Sequence, residues 1–119
     1  SIQQLLGHLI DSAANNHQRF VRAQHANPLV FPKYEQDDWV NVQRYEELPW
    51  SDVVDLWFSY NRHLAHVMRR IPARAREVEC RIGPYEPVSL AYIVLDYNTH
   101  LRHHLAQIDA IEKGMAVLA

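Results

Sequence analysis

Cysteine, glycine and long apolar stretches are all scarce in this chain of 119 residues. With a single cysteine, Cys80, no internal disulfide is possible, and nothing beside Cys80 resembles an arrangement that would activate a thiol. No apolar run approaches the ~20 residues that a membrane-spanning helix needs, and no secretory signal opens the chain. We therefore expect a cytoplasmic protein without a membrane partner.

An excess of charge of one sign is also missing. Twelve Lys and Arg stand against fourteen Asp and Glu, which gives a formal net charge of −2 at pH 7. The densest basic stretch, residues 69–76, falls where a helix should end, and cations there complement the helix dipole. We therefore expect no nucleic-acid partner. The length predicts a single domain, residues 1–119, with one core.

What the chain does contain is the apolar periodicity of three long amphipathic helices. The first covers residues 2–24. The second covers residues 51–71, with Ser51 as its N-cap. The third covers residues 90–113 and ends before Gly114, a typical helix terminator. Three long helices are one short of a four-helix bundle.

The segments between these helices differ in kind. Residues 29–50 form a long connection that holds two prolines and five aromatic residues. A connection of that length is usually functional or packed across the domain. Asp37 and Asp38 are typical of the start of a short helix there. Residues 80–87 are rich in turn-forming residues and predict a small hairpin.

Three histidines lie near the two ends of the chain. His100 and His104 are one helical turn apart, a spacing that suits one metal ion. By helical projection His104 lies within about 30° of the centre of the apolar stripe, His100 about 70° from it, and His103 about 130° away, toward water. His8 lies about 100° from the stripe of the first helix, at the edge of its buried face. Three such imidazoles on two antiparallel helices would leave coordination positions open.

Two simpler interpretations stay open. A histidine beside an apolar face is often just a packed core residue. The chain has eight histidines, so a close pair arises easily by chance, as His63 and His66 show. We predict that these two are surface residues.

A polar strip continues from His8 along the first helix through Ser12, Asn15 and Arg19. Packed against the last helix, this strip predicts a pocket between helices, a common place for sites in bundles. Asn15 and Arg19 are candidates to bind an anionic substrate. Trp39, in the long connection, either roofs the pocket or simply packs on the bundle.

Two segments resemble a known family. Residues 6–12 (LGHLIDS) resemble the first metal-binding helix of the DinB superfamily, most closely of its YfiT-like branch of metal-dependent hydrolases and thiol transferases. Residues 96–108 (DYNTHLRHHLAQI) are similar to the last helix of that branch. The resemblance implies an all-α, antiparallel four-helix-bundle fold, of which this chain lacks the first helix. It also implies a homodimer.

Transferred residue by residue, the metal ligands of that family fall on His8, His100 and His104. Three imidazoles favour zinc or nickel over calcium or magnesium. Asp11 and Gln107 each lie one turn from a ligand and are candidates to orient ligands or bound water.

The resemblance implies a metal-dependent transferase of a low-molecular-weight thiol, or a hydrolase, that acts on a small molecule. The alternative is a non-catalytic helical-bundle protein, involved in a stress response or in dimerisation, in which a metal only stabilises the bundle or a dimer. The enzyme needs an open coordination position on its metal, whereas the non-catalytic protein does not.

Overall fold

A computed structural model describes the backbone of residues 1–118 and the side chains of residues 1–111. In that part of the chain, the helices are α1 (Ile2–Arg22), α2 (Gln36–Gln43), α3 (Trp50–Arg69) and α4 (Leu90–Leu118), and the strands are β1 (Leu29–Phe31), β2 (Glu79–Ile82) and β3 (Val88–Ser89). The fold is mostly helical, as the sequence predicts. Its three long helices are the predicted ones, and a small sheet is added to them.

Helix α1 is the element against which the rest of the fold packs. Ser1 caps it: the Ser1 side chain accepts from the Gln4 backbone amide, and the backbone nitrogen of Ser1 donates to the side-chain oxygen of Gln4. The apolar stripe of α1 buries Leu9, Ala13 and Phe20 almost completely. Because α1 contacts both α3 and α4, its remaining polar edge faces the space beside α4.

Two helix ends differ from the sequence prediction. Pro49, not Ser51, is the N-cap of α3, and Ser51 lies inside the first turn. The carbonyl of Pro49 already accepts from the amides of Asp52 and Val53, so the proline begins the helix without a side-chain cap. Helix α4 continues past Gly114 to Leu118, since a single glycine costs a helix only about 1 kcal/mol.

The predicted hairpin is present and has an additional strand. Strand β2 pairs antiparallel with β3, and β1 pairs parallel with β2. The first strand ties the segment after α1 to the hairpin that precedes α4. This pairing brings the start of the long connection close to α4. Among the described residues, none of the helices combines the length and apolarity needed to cross a membrane.

Gly7 allows the long connection to approach α1 closely. Tyr45, in a single 3₁₀ turn after α2, is 3% exposed and packs its ring against the Gly7 backbone. A Cβ atom at position 7 would overlap that ring. The contact therefore requires glycine inside the helix, although glycine is a poor helix former.

We expect Gly7→Ala to lower the free energy of unfolding by about 2 kcal/mol, because overpacking a well-packed site costs about 1–3 kcal/mol. Urea denaturation followed by circular dichroism measures the change. In a Tyr45→Ala background the ring is gone, so the same substitution should be neutral or stabilising through helix propensity. An equal loss in both backgrounds would show that the ring contact is not the cause.

Candidate metal centre

A cavity of about 790 Å³ lies beside the polar edge of α1. Side chains from α1, the β1–α2 connection, the hairpin and α4 form its walls. His8, His100 and His104 all line it, together with Ser12 and Arg19 of the predicted polar strip. The fold thus brings the two ends of the chain to one cavity.

His8 and His104 are in direct contact across α1 and α4. Their ring centroids are 5.1 Å apart and the rings meet edge to face. Burial, and then the neighbouring His104, lowers the pKa of His8, so its neutral form is favoured. A neutral imidazole is the form that binds a metal ion. Two imidazoles on one tetrahedral zinc ion hold their centroids about 5 Å apart, so this pair fits such a centre.

The orientation of His104 is set by Gln107. The Nδ1 atom of His104 lies 2.8 Å from the amide oxygen Oε1 of Gln107. Because an amide oxygen only accepts, Nδ1 carries the proton and Nε2 keeps its lone pair. A ring held in this way presents Nε2 to a metal ion, as metal-binding histidines usually do through a partner on the other nitrogen.

His100 lies at the rim of the cavity. Its side chain is 63% exposed, and its Nε2 atom is 3.3 Å from Oδ1 of Asp96, one turn earlier on α4. His100 is close enough to His8 to contribute to the lowering of the pKa of His8. Of the two α4 histidines that the helical projection placed inward, His104 is half-buried and His100 is exposed.

The described part of the chain contains no group of three His, Cys, Asp or Glu side chains already arranged to hold a metal ion. In this arrangement His100 faces Asp96 and His104 faces Gln107. The distance between two rings is also not specific, since His17 and His63 have centroids 5.3 Å apart. What distinguishes His8 and His104 is the cavity that they share with His100.

Asp11 is a buried carboxylate beside this cavity. It is 1% exposed, and its Oδ1 accepts from the Tyr45 hydroxyl at 2.6 Å and from Gln43 Nε2 at 2.7 Å. Its Oδ2 is buried without a hydrogen-bond partner. Burial raises the pKa of Asp11, while the two donors oppose that rise. His8 is the nearby group that interacts with Asp11 by charge.

The predicted substrate-binding residues occupy different places. Arg19 lines the cavity. Asn15 is buried and donates through Nδ2 to the Asp11 carbonyl at 2.9 Å, so it does not line the cavity. Trp39 also lies outside the lining and packs edge to face on Tyr34, which does line it. Substrate binding by all three stays a prediction.

Sequence reasoning missed several residues of the site. Asn16, which the apolar periodicity assigned to the buried stripe, lines the cavity, as do Lys33 and Tyr85. Asn16 follows Ser12 by one turn, so the helical spacing alone could have placed it in the polar strip. Gln43 and Tyr45, the partners of Asp11, carry no local signal that connects them with position 11.

Cys80 lies outside the cavity lining and is fully buried. Its Sγ donates to the Val78 carbonyl at 3.5 Å, and burial raises the pKa of its thiol. A protonated, inaccessible thiol is a poor nucleophile. This agrees with the expectation that Cys80 is not activated.

The domain is mostly helical, and its first and last long helices both place histidines at one cavity. Comparison with family models matches the chain over residues 1–108 to the DinB superfamily. The chain belongs to this superfamily, and the match includes all three histidines. Comparisons with curated proteins and with solved structures gave no match.

We expect Asp11→Asn to gain stability relative to the wild type as the pH rises. Because burial raises the pKa of Asp11, the folded chain binds this proton more tightly than the unfolded chain does. The wild type therefore loses stability as the pH rises from about 3.9 through the raised pKa, whereas asparagine does not titrate. Urea denaturation of chelator-treated protein at several pH values measures the difference. A difference that stays constant or falls would contradict the assignment.

Proposed function

We propose that this protein is a metal-dependent enzyme, a transferase of a low-molecular-weight thiol or a hydrolase. His8, His100 and His104 would hold a divalent transition metal. The observation that supports this most is that all three line one cavity, with the His8 and His104 rings 5.1 Å apart.

The chemistry of the donors favours zinc or nickel, since three neutral imidazoles suit borderline ions. Such an ion, when bound, lowers the pKa of a bound water toward ~7 or holds a thiolate. A set of three protein ligands leaves a position for that water or thiol. The cavity volume lies within the range of about 300–1,000 Å³ that is typical of small-molecule sites.

The remaining side chains prepare the histidines for this role. Gln107 keeps the proton of His104 on Nδ1. Asp96 contacts Nε2 of His100 at the rim. When a metal binds, His100 would either leave Asp96 and use Nε2, or keep this contact and use Nδ1. Asp11 provides a buried carboxylate one turn from His8, and its charge favours a cation in that neighbourhood.

The thiol assignment rests on the likeness to the YfiT-like branch. Some members of that branch use bacillithiol, mycothiol or glutathione. Hydrolysis and thiol transfer would use the same three histidines and differ in what occupies the open position.

A non-catalytic, dimeric metal protein is the second candidate. Leu56 and Phe58 on α3 are 48% and 53% exposed, and large apolar side chains on a surface helix favour contact with another chain. A second copy of this chain is the proposed occupant. In that case the metal would stabilise the fold without turnover.

Elemental analysis of the untagged protein tests the metal. We expect about one zinc or nickel ion per wild-type chain and a loss of that ion in His100→Ala/His104→Ala. The matched control is His63→Ala/His66→Ala, which removes two exposed histidines of α3 and should keep the ion. Absence of metal from wild-type protein refolded with excess zinc would refute the site.

Turnover separates the two candidates. Zinc-loaded protein is assayed for transfer of glutathione or cysteine to a chlorodinitrobenzene and for hydrolysis of nitrophenyl acetate. An enzyme should lose at least about tenfold of its activity in His100→Ala/His104→Ala and keep it in the α3 control. Metal-dependent thermal stability without turnover of any of these compounds would favour the non-catalytic protein.

A further inference from the structure

Arg19 places a cation in the cavity wall without an ionic partner. Its Nε atom is buried and has no hydrogen-bond partner. None of the ion pairs in the described part of the chain includes Arg19. The guanidinium lies over the Phe31 ring, 5.7 Å from its centroid.

This position of the Arg19 guanidinium costs it part of its hydration. Arg19 is half-buried, and a guanidinium that is partly removed from water without a paired anion loses part of its hydration energy, which is why buried cations are normally paired. Asp96 is the carboxylate that interacts with Arg19 by charge, but the two do not form an ion pair, and Asp96 contacts His100 instead. Burial also lowers the pKa of Arg19, in agreement with this loss of hydration. An anionic ligand would supply the missing partner.

We propose that the ligand of this cavity carries a carboxylate that Arg19 binds, at a point separate from the three histidines. The inference rests on the proposed function, because it names the substrate class of the same cavity. The two terminal nitrogens of the Arg19 guanidinium offer the paired N–H groups of a fork that binds both oxygens of a carboxylate. Phe31 holds the guanidinium plane from one face.

The position of Arg19 on α1 limits the size of the ligand. His8 and Arg19 are eleven residues apart, which is within about 20° of a whole number of turns and about 16 Å along the axis. Both residues line the same cavity, so a ligand that contacts both need not be longer than this spacing. The ligand is therefore a short bifunctional molecule, with a metal-binding group and a carboxylate less than about 16 Å apart.

Binding of hexanoate and of hexanol to zinc-free protein tests the anion point without any metal. Isothermal titration should show hexanoate binding at least about tenfold more tightly than hexanol to the wild type. Arg19→Gln should lose this preference and keep its affinity for hexanol. Arg19→Lys, which keeps the charge but not the fork, should retain only part of it.

Arg22→Gln is the matched control. Arg22 lies one turn later on α1, is exposed, and donates to Gln18 at 2.7 Å. It is 5.9 Å from the same Phe31 ring but does not line the cavity. This variant should keep the wild-type preference. Far-ultraviolet circular dichroism verifies that each variant is folded. Absence of a preference in the wild type, or an equal loss in both glutamine variants, would overturn the proposal.

A second pair of probes separates this inference from the proposed function. In zinc-loaded protein, 6-mercaptohexanoate should bind more tightly than either 6-mercaptohexanol or hexanoate, because it uses both points. If zinc does not raise the affinity for either thiol while the affinity for hexanoate still depends on Arg19, the carboxylate site is supported and the metal-dependent enzyme is refuted. If zinc raises the affinity for both thiols equally and Arg19→Gln changes neither affinity, the metal site is supported and the carboxylate site is refuted.

Discussion

Burial of the apolar face of α1 is the constraint on which the rest of this structure depends. Leu9, Ala13 and Phe20 are almost completely inaccessible, and both hydrophobic clusters of the fold include residues of α1. Once that face is fixed against α3 and α4, the direction of every other side chain of the helix follows from the 100° step. His8, Ser12 and Arg19 then face the cavity. The site is thus a consequence of core packing, and not an addition to it.

Asp11 shows how the fold accommodates a charge close to that core. The Asp11 carboxylate, 1% exposed, is stabilised by two donors, Gln43 at the end of α2 and Tyr45 just after it. Tyr45 reaches it only because Gly7 leaves room for the Tyr45 ring. The long connection is therefore held by a polar contact at one point and by the parallel strand β1 at another. Between these two points it forms one wall of the cavity, with Tyr34 and Lys33.

The periodicity of the sequence predicts the long helices and the histidines on them. It does not predict elements that are very short or that depend on residues far apart in the chain. The long helices and the cavity-facing His8 and His104 follow from repeated apolar spacing. Strand β1 has only three residues, too few to show an alternation, and its partner lies some fifty positions away. Ser51 is the better cap by composition, but the fixed φ of Pro49 begins the helix earlier. Asn16, not its neighbour Asn15, lines the cavity, and its spacing of one turn from Ser12 carries that information.

If the protein transfers a thiol to an electrophile, as proposed, the burial of Cys80 has a consequence. A reactive compound that entered the cavity would meet imidazoles, phenols and a guanidinium. It would not meet the thiol of Cys80, which lies on strand β2 with its side chain fully buried and its pKa raised by that burial. Under the proposed function, the protein would therefore survive its own substrates. Alkylating agents and mild oxidants would consume the small thiol in solution and leave the polypeptide unmodified at its one cysteine.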